Sequence, residues 1–353
     1  MVQAPLNNHD LTAPRREWHI TPPARVTDWL LTVLVDPRDL PIAYLFVNVF
    51  VLVVPAAVIV LYAQSHVLGG VYMVANVAFF YERFILALHF SAHRSLTRSS
   101  MLNELPQYAL APLFGIPPGV YKIHHLSIHH KGNNRSDKDF TSTEQYQRDN
   151  VLHFVHYWIK FVIYVYIGLP LYAYKNGRMQ KLCSLVATNV AFLFACYVLN
   201  KARPVGVLYV FVIPMVVSSF LTSFGNFSQH LFIDKDFPDR NESLTYSIIN
   251  SVSNQSNYND GFHATHHIDS KLHFTLLPVE FHNNIERYAT AGSIVFENTS
   301  FFEIGMCVFM QDYDKLYKRW IDIGTGKPKT RQEVEILLRK RLRPVIRACP
   351  HEQ

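Results

Sequence analysis

Histidine is concentrated in four short stretches of this chain, and each stretch has a spacing that lets its side chains share one face of a helix. The first is His89-Phe-Ser-Ala-His93. The second, His124-His125-Leu-Ser-Ile-His129-His130, repeats the four-residue interval between His125 and His129. The third, Asn226-Phe-Ser-Gln-His230, sets an amide at that interval from an imidazole, and the fourth, His263-Ala-Thr-His266-His267, places three imidazoles within five positions. Residues at i, i+3 and i+4 of a helix face the same way, so each stretch can aim its donors at an ion. Any one of these histidines alone reads as a polar loop or helix-end residue. Together His89, His93, His125, His129, His130, His230, His263, His266 and His267 exceed one ion's needs and suit two. Imidazole accommodates Fe, Cu, Zn and Ni, and neither thiolates nor a dense carboxylate set accompanies it here. A zinc-protease motif would need Glu directly after the first His, where Phe90 stands. The cysteines Cys183, Cys196, Cys307 and Cys349 are scattered without CxxC spacing, so neither a zinc ribbon nor a disulfide framework is indicated.

The elements that must position these residues are apolar. Charged residues make up 17% of the 353 and aromatic residues 14%, against about 25% charged in an ordinary soluble domain. Pro41 to Tyr62 is an almost unbroken apolar run of the roughly 20 residues that a bilayer requires. Val71 to Phe90 returns across, carrying Glu82 and Arg83, and ends in the first histidine pair. Leu105 to Tyr121 is apolar but holds Pro106, Pro112, Pro117 and Pro118, which predicts a re-entrant or buried loop instead of a span. Lys131 to Asn150 is strongly polar and reads as a solvent-facing loop. Three further apolar runs follow, Phe154 to Tyr174, Leu182 to Leu199 and Val205 to Gly225.

If all three crossed, the histidines after the third would lie on the opposite side from those before the first, which a shared metal site forbids. The run to set aside is Phe154 to Tyr174, since His156, Lys160, Pro170 and its many aromatic residues suit a helix lying in the interface. That choice also puts Lys175, Arg178 and Lys181 on the side of the basic N-terminus and of the Lys131 to Arg148 loop, as the positive-inside rule requires. The expected fold is therefore an all-α integral membrane protein, four transmembrane helices with a cytosolic helical cap that carries every histidine cluster. The expected organisation is a polar lead-in over 1–40, a membrane domain over 41–310 and a basic tail over 311–353. Trp18 and Trp29 are candidate interfacial anchors. The lead-in has no apolar run of signal-peptide type, so insertion is expected to use the internal spans. Gln332 to Arg347 predicts a basic amphipathic helix, resting on lipid headgroups or packed on the cytosolic domain. The net charge of +6 is borne by loops and termini next to apolar spans, which suits an anionic membrane surface better than nucleic acid.

The order HxxxH, HxxxHH, NxxxH, HxxHH, interleaved with four spans from about Pro41 to Pro278, resembles the membrane fatty acid desaturase and hydroxylase superfamily. That resemblance implies two non-haem irons held by those nine histidines. It implies further that Asn226 positions a water on one iron, as the matching Asn does in the stearoyl-CoA desaturase branch. The second cluster departs from the commoner HxxHH form, so His124 competes with His125 as ligand, with His125 favoured. The implied activity is O2-dependent oxidation of a lipid or fatty acyl chain, desaturation first and hydroxylation as the alternative. Removing hydrogen from an unactivated methylene needs an oxidant that no side chain supplies, so the metal carries the hard step. His263 at the start of the last box argues mildly against the front-end desaturases. No HPGG occurs to mark a fused cytochrome b5, so electrons are expected from an external donor, either cytochrome b5 with its reductase or a ferredoxin. The site is expected on the cytosolic face of the endoplasmic reticulum membrane in a eukaryote, or of the inner membrane in a bacterium. Acidic groups should orient ligand imidazoles through their second nitrogen, and Asp260, Asp269 and Glu82 are the candidates. Two rival classes fit less well. A haem electron carrier needs isolated His residues inside opposing spans, and a metal transporter needs ionisable residues lining a path near mid-span.

Overall fold

Apolar segments of bilayer length become helices because a chain in hydrocarbon must satisfy its backbone groups internally. The computed structural model describes residues 9–12, 20–324 and 327–347; Trp18 and Cys349 lie outside them. Among the described residues five helices are long and apolar enough to cross a membrane: α1 Pro37–Ala63, α2 His66–His93, α3 Val151–Lys175, α4 Met179–Ala202 and α5 Pro204–Gln229. By length and composition α3 qualifies beside the four expected spans. Pro170, one reason for setting this segment aside, does not break it. A wide turn of π type at Tyr164–Gly168 comes just before that proline. Similar turns precede Pro55, at Val49–Val53, and Pro214, at Leu208–Val212. Widening the turn accommodates the missing donor and the ring's clash with the preceding turn.

Two compact units form, a long-helix unit described over 20–127 and 162–221 and a sheet unit described over 9–12, 128–161, 222–324 and 327–347. In the long-helix unit, α5 approaches α1 so closely at Gly206 that a side chain there would overlap the backbone of Leu61. Gly115, at φ +75°, ends a short turn where a Cβ would overlap the carbonyl of Pro214. Both steric and dihedral reasons therefore call for glycine at that position. Tyr81 Oη donates to the Ser218 carbonyl at 3.0 Å, and Phe84 stacks on Phe114 at 3.8 Å. The proline-rich segment folds as short helical turns with Gln107, Leu110, Ala111 and Phe114 buried. On α4 only Leu185 is buried, while Val190, Phe194 and Tyr197 point outward. A helix apolar and bare on most sides has lipid as its natural complement. Trp29 is exposed on the helix Ala24–Val33, as an interfacial anchor would be.

The sheet unit holds a three-stranded sheet: β1 Ser247–Ile249 runs parallel to β2 Val295–Glu297, with Ser247 opposite Val295, and β3 Trp320–Ile321 pairs antiparallel to β2. Phe227, Phe232, Tyr246, Phe296, Ile304 and Leu316 form part of its core. The helices of this unit include α6 His263–Ile268, α7 Phe301–Phe309 and α8 Arg331–Arg341. A capping box of Thr330 and Glu333 opens α8, which buries Val334 and Leu338 in the same core. Of the two arrangements expected for the basic tail, α8 thus adopts the packed one.

Lys131 to Asn150 corrects the sequence reading in part: Lys131, Ser136, Asp137, Lys138, Phe140, Gln145 and Asn150 face solvent, but much of this polar segment is buried. Asn134, Asp139, Thr141, Ser142, Thr143, Glu144 and Arg148 are each at most 2% exposed. Loops usually run on the surface because their backbone groups need water. Here side chains take water's place. The guanidinium of Arg148 lies within hydrogen-bond distance of the carbonyls of Thr143, Glu144, Tyr146, Leu231, Arg341 and Arg343. Burial pulls its pKa down to about 9, which still leaves it charged at neutral pH. Glu144 accepts from Arg347 Nε at 2.8 Å and from the Ser136 amide at 2.9 Å.

Candidate metal centre

Three elements of the sheet unit deliver imidazoles to one place. The residue after α5 is His230, α6 brings His263, His266 and His267, and the buried polar segment follows His129 and His130. His129, His230 and His267 are 4%, 0% and 8% exposed, and one donor nitrogen of each lies within 4.8 Å of the others. The second nitrogen of each ring is engaged elsewhere. His129 Nδ1 lies 3.0 Å from Asp139 Oδ2, His230 Nδ1 3.3 Å from the Leu244 carbonyl and His267 Nδ1 3.2 Å from Asn133 Oδ1. With Nδ1–H donating to these acceptors, each Nε2 keeps its lone pair. The Nε2 atoms of His230 and His267 are buried and find no hydrogen-bond partner in the protein. Orphaned polar atoms of this kind are costly, and a cation would satisfy both. Burial, reinforced by the neighbouring imidazoles, holds His230 and His267 well below the usual imidazole range, in the neutral form that binds metal. The donor set therefore fits a metal ion.

Beside the trio, His130 and His266 have ring centroids 5.0 Å apart, and their donor atoms also approach within 4.8 Å. Helical spacing predicts one shared face for His263, His266 and His267, yet His266 faces His130 while His267 joins the trio. His263 has its centroid 4.8 Å from that of His267 and 5.5 Å from that of His230, with Nδ1 3.5 Å from Asp260 Oδ1.

The long-helix unit holds a trio of its own. His89 and His93 lie on the last turns of α2, and the ring of His125 sits 4.4 Å from that of His89, centroid to centroid. The Nε2 atoms of His93 and His125 are 2.8 Å apart, and all three donors lie within 4.8 Å of one another. Two nitrogens each about 2.1 Å from an ion and at right angles stand about 3 Å apart, so this spacing suits neighbouring ligands on one metal. His125, and not His124, belongs to this trio; the His124 ring packs edge-on against Tyr164. A wide turn at His125–His129 intervenes between His125 and His129, and the two fall in different clusters although their interval predicts one face.

Asn226 Nδ2 donates to Tyr157 Oη at 2.7 Å and to the Thr141 carbonyl at 3.2 Å, which orients the amide and leaves Oδ1 as the available acceptor. Of the three acids proposed to support ligands, Asp260 is beside His263. Asp269 is exposed and accepts from the Lys271 amide, and Glu82 is exposed on α2. Sequence reasoning missed Asp139, Asn133 and Tyr157. Asp139 lies ten positions after His129 in a stretch with no helical period, and only its type, a carboxylate close to a histidine cluster, signals it.

The family model described as fatty acid desaturase matches residues 63–297, which include all nine histidines and Asn226. Searches of curated proteins and of solved structures returned no match.

Proposed function

The chain belongs to the fatty acid desaturase family, and on that premise we propose that it is an O2-dependent membrane oxidoreductase that desaturates a fatty acyl or other lipid chain. His89, His93, His125, His129, His130, His230, His263, His266 and His267 would hold two non-haem irons. The observation that carries this reading is the buried trio of the sheet unit. Its three imidazoles have their outer nitrogens occupied, and two of its inward nitrogens are unpaired. When bound, the irons supply the O2 activation and hydrogen abstraction that side chains cannot perform. The chain's own contributions are different. Asp139, Asn133 and the Leu244 carbonyl fix the ring orientation of the ligands. Asn226 presents its Oδ1 toward a water. Burial of the trio keeps bulk water from it, which strengthens every electrostatic interaction there.

Four crossings by α1, α2, α4 and α5 would put every histidine stretch at the cytosolic face, with α3 in the interface. The membrane would be that of the endoplasmic reticulum in a eukaryote, or the inner membrane in a bacterium. Electrons would come from cytochrome b5 and its reductase or from a ferredoxin. Lipid profiling of a host that expresses the chain tests the activity: a product lacking two hydrogens is expected, whereas a product carrying one added oxygen would assign hydroxylation. Full activity in His266→Ala would sink the di-iron reading, as would purified active protein with zinc and no iron.

A further inference from the structure

The polar segment after His130 makes contact with every member of the sheet unit's trio, and it also reaches the amide at the end of α5. Asp139 Oδ2 meets His129 Nδ1 at 3.0 Å. Its other oxygen accepts from the Thr141 amide at 2.8 Å and from Thr141 Oγ1 at 2.6 Å. The carbonyl of the same Thr141 accepts from Tyr157 Oη at 3.2 Å and from Asn226 Nδ2 at 3.2 Å, while Asn226 Nδ2 also donates to Tyr157 Oη at 2.7 Å. Two residues further on, Thr143 Oγ1 donates to the His230 carbonyl at 2.9 Å. Asp139, Thr141, Thr143, Tyr157, His129 and His230 are all buried to 4% exposure or less. These bonds therefore compete little with water, and a lost partner is not replaced.

We infer that Asp139 and Tyr157, joined through Thr141, are positioning residues of this centre, Asp139 for the ring of His129 and Tyr157 for the amide of Asn226. The carboxylate holds the proton of His129 on Nδ1 and so dedicates Nε2 to the metal. The phenol accepts from Nδ2 and donates to a carbonyl, which prevents the amide from turning its nitrogen toward the site. Thr141 touches both partners: its amide and hydroxyl donate to the carboxylate, and its carbonyl accepts from the phenol and from the Asn226 amide. The inference rests on the proposed iron-binding reading and deepens it.

The test uses full-length protein in detergent, reconstituted with ferrous iron alone, with iron per chain measured across a chelator titration and the ferrous site observed by Mössbauer spectroscopy. Asp139→Asn is expected to weaken iron retention about 10- to 100-fold while the melting temperature of the metal-free protein stays near wild type. Tyr157→Phe is expected to keep its iron but to give the same altered spectrum as Asn226→Ala, with no further change in the double variant. Should Asp139→Asn fail to fold, Thr141→Val removes only the hydroxyl bond to the carboxylate and is expected to show a smaller loss of retention. Wild-type retention in Asp139→Asn, or in Thr141→Val if that variant has to stand in for it, overturns the inference for Asp139. Independent spectral effects of Tyr157→Phe and Asn226→Ala overturn it for Tyr157. A wild-type chain that binds no iron would instead overturn the proposed function.

Discussion

The two units each assemble three imidazoles, but they do so by different means. In the long-helix unit His89 and His93 are consecutive steps on one face of α2, and His125 meets them from a short helix, so helical period does most of the work. In the sheet unit His129, His230 and His267 come from three elements, and their outer nitrogens are held by a loop carboxylate, a loop amide and a backbone carbonyl. Period alone can align donors within one helix; converging donors from three elements takes specific hydrogen bonds, and two of those come from the irregular segment after His130.

The sharpest way to break this comparison is to remove one donor from each trio. His267→Ala and His125→Ala are each expected to lower activity on the order of a thousandfold, with iron per chain reduced, since ligands of one centre act as a unit. Unequal losses would mean that only one trio serves the reaction. His124→Ala should retain most of the activity, because its ring packs on Tyr164 outside the trio; a loss equal to that of His125→Ala would reverse the assignment. On stability, Arg148→Met should cost the most, about 3 kcal/mol or more, because it strands several buried carbonyls together. In the long-helix unit Gly115→Ala should cost about 2 kcal/mol through its positive φ and the overlap with Pro214. Thermal unfolding in detergent compares the two, and a milder loss for Arg148→Met would remove the structural role of the buried segment. The smallest effect expected is that of Thr330→Ala, about 1 kcal/mol, since it deletes one side of an exposed capping box.

Local pattern made the long helices legible. Each expected apolar run lies inside one of the five helices found, and the prolines of Leu105 to Tyr121 mark a buried, broken segment. Pro170 was one reason to set α3 aside, and a π turn lets the helix pass that proline, a turn that no hydropathy pattern announces. Local pattern misread part of Lys131 to Asn150. Polarity predicts water when polar groups lack other partners, and here Arg148, Glu144 and Asp139 find theirs in segments up to 203 positions away.

By itself, then, the amino-acid sequence determined the chemistry available to this protein. It set the number and type of donors, the intervals that put His89 and His93 on one face, and the apolar lengths that make membrane helices. Tertiary structure decided how the donors divide. It separated His125 from His129 and His266 from His267, chose His125 over His124, and set Asp139 against His129 instead of leaving it in solvent. The physical reason is range: helical period and hydropathy act over a few residues, whereas buried hydrogen bonds join whichever groups the packing brings within about 3 Å, however far apart they stand along the chain.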